Sequence, residues 1–352
     1  LNTDVAKRDY RIRPSKFLLN TGNNQLYMEH GDMNLNGTEQ PQAIPDSVKD
    51  LYNTNRQVGE HIDIGAYEYE AVLQPIIYVM SNVVGGKADG SSWANATGDL
   101  QGAVDLAGLY THPDKKKTAY VFADHNVKPQ EALTITLQGV KVYGSMNGES
   151  YKDEDNKEIS QPTGSVTAEM IVDRMLSQRT GMLMQREHSK LTKLQLNADA
   201  VVDGFEVEQE AVVNAGTLST SIVGSANVSG SKVSGQKDGL LYNSLVYGNV
   251  SGVKAVNVTA TGTIGEVTGN GNNRSTGKEV NRYVTDAHWK YQLNETSKDI
   301  NGGKVEVQDL IKQIGHDRDL IGNLRIRDDV DNGCFATWTL PKGGEAKVED
   351  YP

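Results

Sequence analysis

The chain of 352 residues carries a single cysteine, Cys334, so it can close no disulfide within itself. Secreted eukaryotic domains of this size often depend on several such bridges. A thiol-poor bacterial surface protein, or a cytosolic protein, fits the count better. Proline is scarce at 9 residues, and aromatic residues make up only 6%. No apolar run approaches the roughly 20 residues that a membrane-spanning helix requires. Basic charge is in deficit: 35 Lys and Arg stand against 46 Asp and Glu, leaving a formal −11. A nucleic-acid partner is excluded on that ground, because phosphate binding needs a basic footprint. Docking on anionic lipid is disfavoured for the same reason. The first residues, LNTDVAKRDY, lack the charged and apolar regions of a signal peptide. They begin on Leu1, so a processed form or an excised fragment is expected.

What is abundant is glycine, at 36 residues, with many Asn, Ser, Thr and Val. This composition suits short strands joined by tight turns. The stretches IIYVM (76–80), TAYVFAD (118–124), ALTITL (132–137) and VKVYGSM (140–146) each read as a strand bounded by turn residues. DLQGAVDLA (99–107) places Leu100, Ala103, Val104 and Ala107 on one helical face, with Thr97 or Asp99 as a cap. The run SYKDEDNKEIS (150–160) reads as a solvated charged loop.

Two kinds of internal repeat are present. SIVGSANVSG (221–230) is echoed by SLVYGNVSG (244–252), and VVDGFEV (201–207) lies about one period earlier, giving a spacing of 20–23 residues. A chain that returns at this interval can stack its strands in a solenoid, each turn burying apolar residues against the next. Asn227 and Asn249 are candidates for a stacked asparagine ladder. The expected fold is therefore all-β, a right-handed parallel β-helix, with the helix at 99–107 as its N-terminal cap and coils over 118–270. A face-packed β-sandwich is the rival. The second repeat is longer-range. DLYNTNRQVGEHIDIGAYE (50–68) matches DLIGNLRIRDDVDNGCFA (319–336), pairing Asp50, Leu51, Arg56, Asp63, Gly65 and Tyr67 with Asp319, Leu320, Arg325, Asp331, Gly333 and Phe335. Upstream, SKFLLNTG (15–22) matches SKDINGG (297–303). The expected organisation is a closing segment of a preceding module over 1–70, a second module over 71–340 with its own closing segment at 289–338, and a linker over 341–352.

These residues resemble the right-handed parallel β-helix, pectate-lyase-like surface and secreted proteins of Bacteroidetes, of the adhesin type. IIYVMSNVVGGKADGSSWANATGDLQGAVDLA is similar to the family's opening, and VKVYGSMNGES to its Val-Tyr-Gly-Gly-Phe step, with Ser145 and Met146 replacing Gly and Phe. AVVDGFEV (200–207) resembles the family's Val-Asp-Gly-Phe strand, and IDIGAYE (62–68) its closing phrase. VDNGCFA (330–336) departs from that phrase, with Cys334 and no terminal Glu. The resemblance implies a secreted or cell-surface location and a polysaccharide or host-matrix partner. It also implies a rigid adhesion or display scaffold, or alternatively a Ca2+-dependent lyase or a carbohydrate-binding module.

The lyase alternative requires carboxylates that hold Ca2+ and a basic residue that removes a proton. HDRD (316–319) and RIRDD (325–329) supply the strongest cluster: Asp317, Asp319, Asp328 and Asp329 for the ion, and Arg325 or Arg327 for the base. Because the pattern is duplicated in the 50–68 segment, a structural salt bridge is the better expectation, with neither cofactor nor catalytic residue. DDVDNG (328–333) lacks the ligand at the twelfth position of an EF-hand loop. The seven histidines include no HxH or HExxH pair. Asp173, Asp199, Asp203 and Glu206 are the carboxylates a glycosidase would draw on, with Asp203 also placed to cap the turn before Gly204. Trp93, Trp289 and Trp338 are expected to pack in the core or caps.

Overall fold

The computed structural model describes residues 2–4, 9–12, 22–24, 48–51, 53, 55–57, 61–66, 68, 73–81, 86–111, 117–127, 132–179, 188–225, 228–265, 274–275, 302–303, 312, 314–320, 322 and 324–325. Most of it is one parallel sheet of 15 strands. A short antiparallel pair, β1 (Asn2–Asp4) with β2 (Asp9–Ile12), precedes it. The sheet opens with β3 (Ile76–Val79), β4 (Ala119–Asp124), β5 (Leu133–Ile135) and β6 (Val140–Met146). A small antiparallel pair follows, β7 (Tyr151–Lys152) with β8 (Glu158–Ile159). The sheet resumes with β9 (Lys190–Leu196), β10 (Val201–Asp203) and the long β11 (Glu206–Ser219). It continues through β12 (Ile222–Val223), β13 (Lys232–Tyr242), β14 (Leu245–Val246), β15 (Asn249–Ser251) and β16 (Lys254–Val256). The last strands are β17 (Thr259–Ala260), β18 (Ile264–Gly265) and β19 (Arg274–Ser275). The parallel pairing excludes the face-packed antiparallel sandwich.

Register explains the valine-rich composition. Ile77 faces Val121, which faces Val142, then Val202, Leu218, Leu241 and Ala255. A second row runs Leu191, Val207, Val223, Val246, Ala260. A third runs Leu133, Leu194, Ala211, Val233, Val250, Ile264. All three rows enter the same hydrophobic core. Because side chains alternate between faces with period two, each strand must keep this register or move its apolar residues out of the core. Hydrogen bonds between successive passes give the interval directly. Phe205 N to Ser221 Oγ spans 16 residues, Ser221 N to Ser244 Oγ spans 23, and Asn257 Nδ2 to Asn243 Oδ1 spans 14. The return interval therefore varies more widely than the expected 20–23.

Bends between passes carry left-handed backbone at matching places. Gly204 (φ 79°), Thr220 (φ 47°), Asn243 (φ 47°) and Asn257 (φ 55°) each follow the last residue of the same strand column. Asparagine tolerates this conformation better than most residues, and here Asn257 Nδ2 donates to Asn243 Oδ1 at 3.1 Å. The asparagine stack thus falls at 243 and 257. Asn249, expected in that role, instead accepts from Thr263 N at 2.8 Å, and Asn227 lies outside the described residues.

The described residues define two α-helices. α1 (Leu100–Thr111) is longer than its predicted span of 99–107. Its apolar residues join the main core. Asp99 is the cap: its Oδ1 accepts from Gly102 N at 3.0 Å, and its carbonyl accepts from Ala103 N. Replacing Asp99 with Ala should cost about 0.5–2 kcal/mol, read from thermal or urea unfolding. α2 (Ala168–Ser177) was not expected from the sequence. Thr167 caps it, accepting from Met170 N, and Ile171, Val172, Met175 and Leu176 form its buried stripe.

That stripe covers the opposite face of the sheet. A second core joins Ile76, Tyr78, Tyr120, Phe122, Tyr143 and Met146 to α2 and to Trp93. Trp93 is packed here, donating from Nε1 to Glu149 O at 2.9 Å. The stretch 147–179 is thus a covering layer of hairpin and helix. Its charged portion, expected to be only a solvated loop, forms the β7–β8 hairpin on its exposed side. Further along the same face, Ile314 packs with Val201, Leu240, Tyr242 and Val256. The sheet is therefore buried on both faces over this region.

Candidate functional site

One row on the covered face reads Tyr78, Phe122, Tyr143, Asp203, Ser219, Tyr242, Val256, each in register with the next. A carboxylate in the middle of a row whose other members are aromatic or apolar, save Ser219, needs partners, because an unpaired buried charge is very costly. Asp203 has them on every side. Arg179 Nη1 lies 2.8 Å from its Oδ1, and both side chains are completely buried. The Ser219 hydroxyl donates to Oδ2 at 2.5 Å. His316 Nε2 lies 3.2 Å from Oδ2, off hydrogen-bond alignment.

Each partner is itself fixed. Arg179, just past α2, donates from Nε and Nη2 to Gly144 O at 3.1 and 2.7 Å. A Cβ on Gly204 would stand 2.4 Å from Arg179 Nη2, so glycine there serves both the positive φ and the close guanidinium. His316 Nδ1 accepts from Arg318 N at 3.0 Å, which leaves the proton on Nε2, facing Asp203. The imidazole meets Tyr143 edge-on at 5.7 Å, and the Tyr143 hydroxyl donates to Ile314 O at 2.7 Å.

Electrostatics follow from this packing. Burial alone pushes the Asp203 carboxyl up. The imidazole of His316, the Arg179 guanidinium and the Ser219 hydroxyl outweigh it and hold the group well below the usual carboxylate range. Burial, reinforced by the Asp203 charge, pushes the Tyr143 hydroxyl far above its ordinary value. Burial likewise moves Tyr242 up to about 12.

The cluster joins three separate parts of the chain: Asp203 and Ser219 from the sheet, Arg179 from the 147–179 cover, and His316 from the 314–325 segment. A group that touches a substrate must be reachable, and Asp203 and Arg179 are sealed at 0% exposure. The arrangement is suited to holding both covers on the sheet. Sequence reading placed Asp203 as a turn cap before Gly204; its side chain goes instead to Arg179, Ser219 and His316. Arg179 and Ser219 were missed, since neither stands in any motif. His316 was read only as part of the acidic run.

The other candidate residues are dispersed. Asp173 is exposed and meets Arg318 Nη2 at 3.4 Å. Glu206 pairs with Lys190 at 3.8 Å. Asp199 lies near Lys141, whose ammonium is shifted down by burial, against the pull of Glu169 and Asp199. Asp319 and Arg325 are buried, and Arg325 Nε donates to Arg318 O at 3.4 Å. Asp317 and Arg325 both lie close enough to influence Tyr242. Arg327, Asp328, Asp329, Trp289, Trp338 and Cys334 lie outside the described residues. Among the described residues no His, Cys, Asp or Glu group could hold a metal ion.

The duplicated segments share a local shape. Arg56 N donates to Val48 O at 2.9 Å, and Arg325 N to Asp317 O at 2.8 Å. Asn53 N donates to Asp50 O and Gly322 N to Asp319 O, both at 3.1 Å. Antiparallel bridges Lys49–Asn55 and Arg318–Leu324 occupy equivalent positions. In the first copy Arg56 pairs with buried Glu68 at 3.0 Å and donates to the carbonyls of Asp63 and Gly65. Asp50 Oδ2 accepts from Glu68 N at 2.9 Å. The second copy has Ala336, not a carboxylate, at the position of Glu68.

Comparison with family models, curated proteins and solved structures gives no significant match.

Proposed function

We propose that the chain is a non-catalytic module of a secreted or cell-surface protein, a rigid β-helical segment used for adhesion or display, of the kind found in pectate-lyase-like surface proteins. The reading is carried by the three in-register apolar rows that share one core. From β9 onward each parallel pairing joins segments 14 to 23 residues apart, while β3–β4, β6–β10 and β5–β9 return only after 44, 60 and 61 residues. Strands that all point one face into a common core in this way are economically explained as successive coils about one axis, the long intervals holding α1 and the 147–179 cover. Stacking of this kind gives stiffness and length without chemistry. The duplicated 48–56 and 317–325 turns support a modular arrangement in which each section ends alike.

The second reading is a polysaccharide lyase, and Lys141 favours it. Burial lowers the pKa of its ammonium against the opposing charges of Glu169 and Asp199, and a lysine lowered by burial is the kind that serves as a base. Incubation with a panel of uronate polysaccharides and Ca2+, followed by ultraviolet absorbance of unsaturated product, separates the two. The expected result is no product above buffer. Product that disappears in Lys141→Ala, in a variant that still folds, would overturn the scaffold reading. A glycan array on the same protein distinguishes a glycan-binding scaffold from a purely mechanical one.

A further inference from the structure

We propose that Gln101 and Gln161 are edge guards: their side-chain amides take the place of the strand that the first edge of the parallel sheet lacks, and so deny that edge to a second copy of the chain. An open sheet edge is a row of free N–H and C=O groups, ready to pair with another chain. Within a strand, the N–H and C=O of one residue point to one side and those of the next residue to the other. β5 pairs with β9 alone. Ile135 O accepts from Asn197 N at 2.9 Å on the β9 side, so within β5 it is Thr134 that faces outward. Gln101 meets Thr134 at both atoms. Its Oε1 accepts from Thr134 N at 2.8 Å, and its Nε2 donates to Thr134 O at 2.9 Å. The amide is held this way round because Nε2 also donates to Oδ1 of buried Asp105 at 2.9 Å. Two further contacts lay α1 along the same end of the sheet. A Cβ on Gly108 would stand 2.3 Å from Leu137 Cδ1, and Thr111 Oγ1 donates to Gln138 O at 2.8 Å.

The other row is closed in the same manner. Among the named strands β3 pairs with β4 alone. Tyr120 N donates to Pro75 O at 2.7 Å, so residues 76, 78 and 80 face outward. Gln161, from the 147–179 cover, donates from Nε2 to Ile76 O at 2.7 Å and to Ser91 O at 3.0 Å. Tyr78 N donates to Gly90 O at 2.9 Å, Tyr78 O accepts from Thr97 N at 3.0 Å, and Met80 N donates to Thr97 O at 2.9 Å. Both glutamines are half-buried, at the rim rather than in the core, and their amides are spent on backbone groups. The occupant they exclude is a second copy. Its strands carry the period-two apolar pattern that the row Leu133, Leu194, Ala211, Val233 demands of a neighbour. Closing the edge keeps the chain separate when it is concentrated, in a scaffold and an enzyme alike.

Gln101→Met and Gln161→Met, made singly and together in the full chain, keep an unbranched side chain of similar bulk and remove the amide. Sedimentation velocity is then run from about 1 to 100 µM, the range in which open edges associate. The weight-average mass of the double variant should rise to about twice that of the wild type or more at the upper concentration. Gln236→Met, on the exposed part of β13, adds similar apolar surface away from the edge and should sediment as the wild type does. A double variant that keeps the wild-type circular dichroism and matches the wild type in mass at every concentration would overturn the guards. So would Gln236→Met associating as strongly as the double variant. Should the double variant not fold, amide exchange in the wild type decides. The N–H groups of Thr134 and Tyr78 should be protected to within about tenfold of that of Leu218. Exchange at Thr134 as fast as in an exposed loop would show that its edge is open and overturn the assignment.

Discussion

Arg179→Ala should destabilise the protein by about 3–5 kcal/mol, the usual cost of stripping one partner from a buried ion pair. Asp203 would keep its charge or its burial but not both, and Gly144 O would lose two donors. Urea unfolding at neutral pH measures the loss directly. Asp203→Asn should also destabilise, and the double variant should be less damaged than the sum of the two, because neither charge is then left alone. Strict additivity would show that the pair is not coupled. The pH dependence has a definite sign. The carboxyl of Asp203 is held below its unfolded value, which is about 3.9. Its contribution is therefore fully present above that pH and is lost as pH falls toward the folded value. Acidification below about pH 4 should lower the urea midpoint of the wild-type protein more steeply than that of Asp203→Asn. Parallel curves would refute this assignment.

Leu218→Asp should be more damaging still. Leu218 stands in register between Val202 and Leu241 and is wholly buried. No partner awaits a carboxylate in that row, so the loss should exceed about 4 kcal/mol. Leu218→Ala, which only leaves a cavity, should cost about 2–5 kcal/mol. Lys237→Asp, on the exposed part of the same sheet, should change stability by no more than about 0.5 kcal/mol. Far-UV circular dichroism with thermal melts checks all three. If Leu218→Asp melts like the wild type, the row does not form.

Much of the sheet was legible because its signals are local. IIYV, AYVFAD and VKVYGSM are β-branched and aromatic runs between turn residues, and each became a strand within a residue or two of its expected ends. Asp99 announced α1 by its position before an apolar helical stripe. α2 was overlooked although Ala168, Glu169, Met170, Arg174, Met175 and Leu176 are good helix formers and Ile171, Val172, Met175 and Leu176 share one face; at ten residues it is too short to hold alone and is stabilised by the sheet it covers. The repeat at 48–56 and 317–325 was visible as matched residues, yet its Arg56–Glu68 pair was not. An arginine in a sequence has many carboxylates to choose from, and only the chain's path brings one within reach.

The site was the least legible part. Asp203 stood out through its Gly204 neighbour, but its partners come from 24 residues upstream at Arg179, 16 downstream at Ser219, and from the distant segment bearing His316.

The amino-acid sequence alone determined that this chain is built of short strands with periodic return, carries net negative charge and repeats one turn. Those properties depend on side-chain alternation and backbone preference, which act over a few residues. Only the tertiary structure decided which strand faces which, which face is covered twice, and that one carboxylate is buried where two covering segments meet. Such choices depend on burial shared by residues far apart in the chain, and the energy of a buried charge is set by whichever groups the fold brings around it.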